Sequence, residues 1–236
     1  MINTATLTRL RKEIRAQADP RQAKILQRFF KTGRGEYGEG DVFLGLTVPQ
    51  SRTLARKYHS LPFAEITKLL HSKIHEERLI ALLLLVHRFQ SATESGRERI
   101  FGYYLRSTRW INNWDLVDLT APVIVGRYLF DTPRAVLQRL ARSRSVWERR
   151  IAIVATYEFI RCDQFADTLK ISRSLLHDRH DLIHKAVGWM LREVGKRNKR
   201  ILVRFLEKNY SRMPRTMLRY AIEKFPERER RGYLRV

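Results

Sequence analysis

Nearly every stretch between the prolines, glycines and Asn/Asp turns of this chain repeats its apolar residues at i, i+3, i+4 and i+7, and alternating runs are scarce. A period of 3.6 sustained over most of the length leaves little room for a sheet, so the spacing predicts an all-α fold. Helices are predicted over about 4–17, 20–32, 49–60, 63–72, 75–91, 94–107, 113–130, 133–142, 146–161, 164–177, 181–196, 199–210, 214–224 and 226–233. Asp19-Pro20, Val48-Pro49, Thr132-Pro133 and Met213-Pro214 each place proline where a first helical turn accepts it.

Three of these helices look alike when slid past each other: Glu76-Glu-Arg78-Leu-Ile-Ala81, Trp147-Glu-Arg149-Arg150-Ile-Ala152 and Ile183-His-Lys185-Ala186. The alanines are 71 and 34 residues apart, two units and one unit of a period near 35. That period fits stacked helical pairs, in which each pair buries its apolar face only against its neighbours. The expectation is therefore an α-α superhelix, a HEAT-like repeat solenoid, curved with a basic concave face and forming a single domain over 1–236.

Charge narrows the partners. Lys and Arg number 47 against 24 Asp and Glu, a formal net charge of +23, and the basic residues are interleaved with apolar ones rather than gathered in a tail. Such a chain is expected to bind a polyanion, with nucleic acid favoured over an anionic membrane. Hydrophobic residues make up 44% of the chain, enough for a core. The single cysteine, Cys162, excludes an internal disulfide and a multi-cysteine zinc site, and with no apolar signal core at the start the expected compartment is the cytoplasm. The longest clean apolar run, Leu79 to Val86, is far short of the roughly 20 residues that span a bilayer, so no membrane association is expected.

Most candidate chemistry fails on inspection. The glycine-rich segment from Lys31 to Gly45 has no preceding strand and no Gly-Lys-Ser/Thr, so it reads as a flexible surface connection rather than a phosphate loop. His71 and His75 offer two imidazoles without an obvious third ligand. The His177, His180 and His184 cluster straddles a helix boundary where Asp181 serves more simply as N-cap, so no metal is expected. No Ser/His/Asp or Cys/His nucleophile has a local signature.

What remains is an aromatic and charged constellation. Trp114 and Asp118 are four residues apart, as are Lys185 and Trp189, with Arg192 three further on. On a solenoid these residues and Arg150 would line one groove, bases gripping phosphates while indoles lie on sugars or bases. A carboxylate in such a groove repels phosphates, so Asp118 suggests a target that is locally cationic. The basic helix carrying Arg215 and Arg219 reads as a solvated cap or a DNA contact.

With these residues laid out, the chain resembles the AlkD-like DNA glycosylases, bacterial DNA alkylation repair enzymes built from HEAT-like repeats. The resemblance spans most of the chain. Trp114-Asp-Leu-Val-Asp118 matches the family's Trp-Asp-x-Val-Asp element, and Lys185-Ala-Val-Gly-Trp189-Met-Leu-Arg-Glu193 its Lys-Ala-x-Gly-Trp-x-Leu-Arg-Glu helix. Phe43-Leu-Gly45-Leu-Thr-Val-Pro49 is similar to the early Leu-Gly-x-x-x-Pro turn, and Trp147-Glu-Arg-Arg150-Ile-Ala-Ile to the helix of the active-site arginine. The resemblance implies a monofunctional, metal-independent hydrolase without cofactor, acting as a monomer on duplex DNA containing alkylated bases. Asp118, Trp114, Arg150 and Trp189 would be catalytic, and Arg149, Lys185, Arg192, Arg215 and Arg219 would contact DNA. Arg149 adjoins Arg150, which leaves the arginine assignment open by one residue, and a family tyrosine is replaced by Phe29. The alternatives are a non-catalytic helical-repeat protein binding DNA or RNA structures, and a protein-interaction scaffold.

Overall fold

A computed structural model describes residues 6–235, and helices dominate it. The one strand-like contact among the described residues is an isolated bridge between Val42 and Ile74. The chain forms two compact units, residues 1–120 and 121–236.

The first unit holds α1 (Leu7–Ala16), α2 (Pro20–Phe29), α3 (Val48–Lys57), α4 (Phe63–Leu70), α5 (His75–Ser91), α6 (Glu94–Arg106), a 3-10 turn at Thr108–Trp110, and α7 (Trp114–Asp118). The predicted start at residue 4 lies outside the described residues. Local signals set several boundaries. Asp19 Oδ1 accepts from the Arg21 and Gln22 amides ahead of Pro20, and Thr47 and Gln50 form a reciprocal capping box ahead of α3. α5 is buried nearly all round and packs on α3, α4 and α6, so it is the core helix of the unit.

The N-terminal turn of α5 carries four consecutive charged or titratable side chains, His75, Glu76, Glu77 and Arg78, all of them buried. Each is satisfied. Glu76 accepts from the backbone amides of Leu44 (3.0 Å), Gly45 (2.8 Å) and Leu46 (3.2 Å), so a chain segment lacking secondary structure is tied to the core through its own N–H groups. Gly45 is required there: its φ is +95°, and a Cβ would strike the Asp19 carbonyl. Glu77 takes a forked pair of hydrogen bonds from Arg11 of α1 at 3.1 and 2.9 Å. His75 stands between two carboxylates, Nδ1 3.1 Å from Asp41 and Nε2 2.8 Å from Asp115, while Arg78 donates to the other oxygen of Asp41 at 2.7 Å. Burial alone would push the imidazole down, but the Asp115 charge and both hydrogen bonds outweigh it and push it up to about 9. Asp41, for which burial acts upward, is held below its ordinary value by His75 and Arg78.

The second unit begins with a π-helical turn at Pro122–Gly126. It continues through α8 (Ala135–Ala141), α9 (Val146–Val154), α10 (Tyr157–Arg161), α11 (Ala166–Ser174), α12 (Asp181–Arg197), α13 (Lys199–Asn209), α14 (Arg215–Ala221) and α15 (Glu227–Leu234). α12 is its organising element, packing on α9, α10, α11, α13 and α14. Its closest neighbour is α14, and Gly188 explains why: a Cβ there would lie 2.5 Å from both the Met217 carbonyl and the Tyr220 Cβ. Ala81, Ala152 and Ala186, aligned by the sequence period, are all fully buried. They sit in α5, α9 and α12, each packed on the helix that precedes it or the one before, α4, α8 and α11.

Four expectations need correction. The predicted helix over 113–130 is interrupted after Asp118, because Pro122 has no N–H for the Asp118 carbonyl and its ring would clash with that oxygen. The predicted helix over 146–161 breaks at Ala155 and Thr156, where the Thr156 hydroxyl turns back to the Ile153 carbonyl at 2.6 Å and Gly126 packs against the Ala155 carbonyl. The glycine-rich segment is a folded connection, pinned by Gly38 N–H on the Lys31 carbonyl at 3.0 Å and by the Asp41 and Glu76 contacts. The N-cap of α12 is His180, whose Nδ1 accepts from Leu182 at 3.2 Å; Asp181 is the first helical residue instead.

Two outcomes follow. Below pH ~6.5 the His75 contribution is fully present, and it is lost as pH rises through about 9, amounting to on the order of 3 kcal/mol. Urea unfolding from pH 6 to 10 is expected to show this decline. His75→Ala, which leaves the buried Asp115 without its cation and Asp41 with Arg78 alone, should flatten it and destabilise by ~3–5 kcal/mol. Gly188→Ala, forcing α12 and α14 apart, should destabilise by ~1–3 kcal/mol in the same measurement.

Candidate functional site

α7 is only five residues long, and it carries both Trp114 and Asp118. Asn113 caps it, and Asp115 in its first turn is the carboxylate that grips His75, so the helix is anchored to α5 through a buried ion pair. The indole of Trp114 is half-buried and lies on the Phe30 ring at 5.0 Å and 11°, a parallel stack. Phe30 in turn stacks on Phe43 at 5.0 Å, and Phe43 on His75 at 4.4 Å. Trp114 is thus the outermost plate of an aromatic pile whose base is the buried imidazole. Phe29, 60% exposed, meets the Trp114 ring edge-on at 5.8 Å.

Asp118 is half-buried at the last position of α7. A helix C-terminus is a poor place for a carboxylate, because the last carbonyls already present partial negative charge. Tyr104 of α6 shows the resulting field: its hydroxyl is pushed upward by burial first and also by the Asp118 charge, and it stays neutral with Thr120 Oγ1 at 2.9 Å. Asp118 therefore sits at a helix end whose dipole opposes its charge, with the neutral Tyr104 phenol within range of its field.

In the second unit the other matched residues have distinct settings. Arg150 of α9 is buried, 5% exposed, and Nη1 donates to the Leu182 carbonyl in the first turn of α12 at 2.5 Å. Arg149 is committed differently: Nε donates to Asp178 at 2.6 Å, and Nη1 to the Ser143 and Arg144 carbonyls, each at 2.9 Å. Those partners make Arg149 a clamp on the turn before α9. Trp189 is half-buried on α12, its ring 6.1 Å from Tyr157. Lys185 pairs with Asp181 one turn back at 2.7 Å, and Arg192 pairs with Glu223 and Glu193. Arg215 donates to the Leu234 carbonyl at 2.6 Å, and Arg219 is exposed.

The two imidazoles weighed as metal ligands separate. His75 spends both ring nitrogens on carboxylates, whereas His71 ends α4 and stacks on Trp110 at 4.7 Å. Among the described residues no group of three or more His, Cys, Asp or Glu is arranged to hold a metal ion, and no helix is long and apolar enough to cross a membrane.

Sequence reasoning missed what supports Trp114. Phe30 carried no signal, Phe43 entered only through the Leu-Gly-x-x-x-Pro turn, and Asp41 sat in a segment read as a flexible surface connection. Asp115 carried a signal as the first of the two carboxylates in the Trp-Asp-x-Val-Asp run.

Comparison with known proteins completes the picture. No curated protein matches the chain significantly. Among solved structures, a "predicted DNA alkylation repair enzyme" from Enterococcus faecalis superposes with a TM-score of 0.68 at 16% identity, covering 89% of this chain and 98% of that one. That likeness establishes the fold. A sequence profile of the family described as DNA alkylation repair enzyme matches residues 10–225. The chain belongs to the DNA alkylation repair enzyme family.

Proposed function

We propose that this member of the family is a monofunctional DNA glycosylase that hydrolyses the N-glycosidic bond of cationic N3- or N7-alkylated purines in duplex DNA. The observation that carries the reading is the α7 unit: an indole and a carboxylate four residues apart, the indole stacked at 5.0 Å on Phe30, in a chain of net charge +23.

The chemistry suits those groups. Alkylation at N3 or N7 gives the purine a positive charge, so it departs as a neutral base and no strong general acid is needed. As the C1′–N bond breaks, positive charge develops on the deoxyribose. The Asp118 carboxylate stabilises that oxocarbenium character and takes the proton of the water that adds to C1′, leaving an abasic site and the free alkylated base. Trp114 packs on the sugar and excludes water, and its fixed plane loses little freedom on contact. Arg150 is assigned a backbone phosphate, where a buried, pre-oriented guanidinium loses less entropy than a surface one. Trp189 is assigned a second sugar or backbone face, with Lys185, Arg192, Arg215 and Arg219 contributing charge along the duplex. Arg149 is the weaker candidate for contact, since Asp178 and two carbonyls hold it. The reaction as written needs neither metal nor organic cofactor, and a monomer acting in the cytoplasm suffices for it.

Two measurements test this. Release of 7-methylguanine or 3-methyladenine from methylated duplex DNA should fall by on the order of 10²-fold or more in Asp118→Asn, with DNA affinity nearly kept; equal release by both proteins removes Asp118 from the chemistry. Affinity for undamaged duplex should fall steeply with salt, and Arg219→Ala should lower the slope of log K against log[salt] by about 1. An unchanged slope takes Arg219 off the DNA.

A further inference from the structure

The second unit has a cleft that shares no residue with the site above. α11 and α13 each pack on α12, and the space between them stays open as a cavity of about 590 Å³. Its lining is of two kinds. Phe165, Leu169, Ile201 and Phe205 give it an apolar floor, while Arg173, Arg204, Lys208 and Arg212 surround that floor with positive charge. No acidic residue lines it. The acids that α11 and α13 carry are directed elsewhere: Asp167 is held by Arg134 at 2.9 Å, and the charge of Glu207 acts on Tyr233.

Pairing sharpens the contrast. Several other bases of the unit are neutralised within it: Arg192 by Glu223, Arg197 by Asp163 at 2.8 Å, Lys199 by Glu229 at 2.8 Å, and Arg231 by Glu227 at 3.0 Å. Among the described residues, Arg173, Arg204 and Lys208 have no ion-pair partner. Arg212 is oriented by the Lys208 carbonyl and by Asn209 Oδ1, at 3.2 and 3.1 Å, and neither partner cancels its charge. A groove between two helices that combines an apolar floor, volume for several side chains and uncompensated cations is complementary to one class of ligand: an amphipathic helix with acidic residues beside its apolar stripe. Duplex DNA would satisfy the cations, but its backbone has no aliphatic group to fill the floor. Phe205, 4% exposed, offers no open ring face for a base.

We propose that the α11–α13 cleft docks an acidic amphipathic helix of a partner protein, its leucine-type side chains seated between Leu169 and Ile201 and its carboxylates on Arg173, Arg204 and Lys208. Guanidinium groups favour such a partner because they meet carboxylates two bonds at a time.

The test uses the full chain and a fluorescein-labelled synthetic helix of about 16 residues, with Leu at i, i+3, i+4 and i+7 and Glu elsewhere. Saturable binding is expected, weakened by about tenfold or more in Arg204→Glu/Lys208→Glu. Both positions are exposed on α13, so folding and base release should be unchanged. A peptide with Ser replacing Leu should lose binding; if it binds equally well, charge alone is at work and the proposal is overturned. No saturable binding overturns it too. If the double variant loses affinity for duplex DNA as much as for the peptide, the cleft is a DNA contact and the protein-docking proposal is wrong. The peptide-binding and DNA-affinity outcomes do not depend on glycosylase activity.

Discussion

A protonated histidine buried between two aspartates is an expensive arrangement in isolation, since both charges must leave water. Here the expense is offset because every partner is close: Asp41 at 3.1 Å, Asp115 at 2.8 Å and Arg78 completing Asp41 at 2.7 Å. Three chain segments meet at this imidazole: the folded connection before α3, the start of α5, and α7. α5 is held by its own buried apolar side chains, but α7 is only about a turn and a half long and the connection lacks regular structure. The ion network supplies direction where hydrophobic burial supplies only proximity.

The aromatic pile repeats that logic in apolar form. Phe43 lies on the imidazole, Phe30 on Phe43, and Trp114 on Phe30, so the orientation of the outermost ring is inherited from the buried charge. An indole fixed this way can present a flat face without reorganising, which is what the proposed contact with a sugar would require. Asp118 is placed by the end of the same helix, and Pro122 is what ends it. A helix continuing through 119–122 would have bonded the Asp118 carbonyl and carried the chain in another direction.

Much of this was legible beforehand. The helical period exposed the all-α fold, and the alignment of Ala81, Ala152 and Ala186 marked three buried positions. The Trp-Asp-x-Val-Asp and Lys-Ala-x-Gly-Trp runs pointed to a DNA alkylation repair family. What stayed hidden was hidden for physical reasons. A glycine-rich stretch gives no periodic signal whether it is loose or tied down, and the tie here is long-range, from Glu76 to amides about 30 positions earlier. A buried histidine between carboxylates cannot be told from a surface one by spacing. The interruption after Asp118 was foreseeable from Pro122, but the apolar pattern runs across it and masked the break.

The central claim is that a carboxylate beside a fixed indole turns a basic helical protein into a catalyst for parting a cationic base from its sugar. It is tested most directly with a duplex carrying one N7-methylguanine, incubated with wild-type protein in excess and with EDTA present, while abasic sites and free base are counted over time. The account predicts that both appear together, in equal amounts, at a rate well above spontaneous depurination. Tight binding to that duplex with no base released above the spontaneous rate would contradict it and leave a DNA-binding protein without the chemistry.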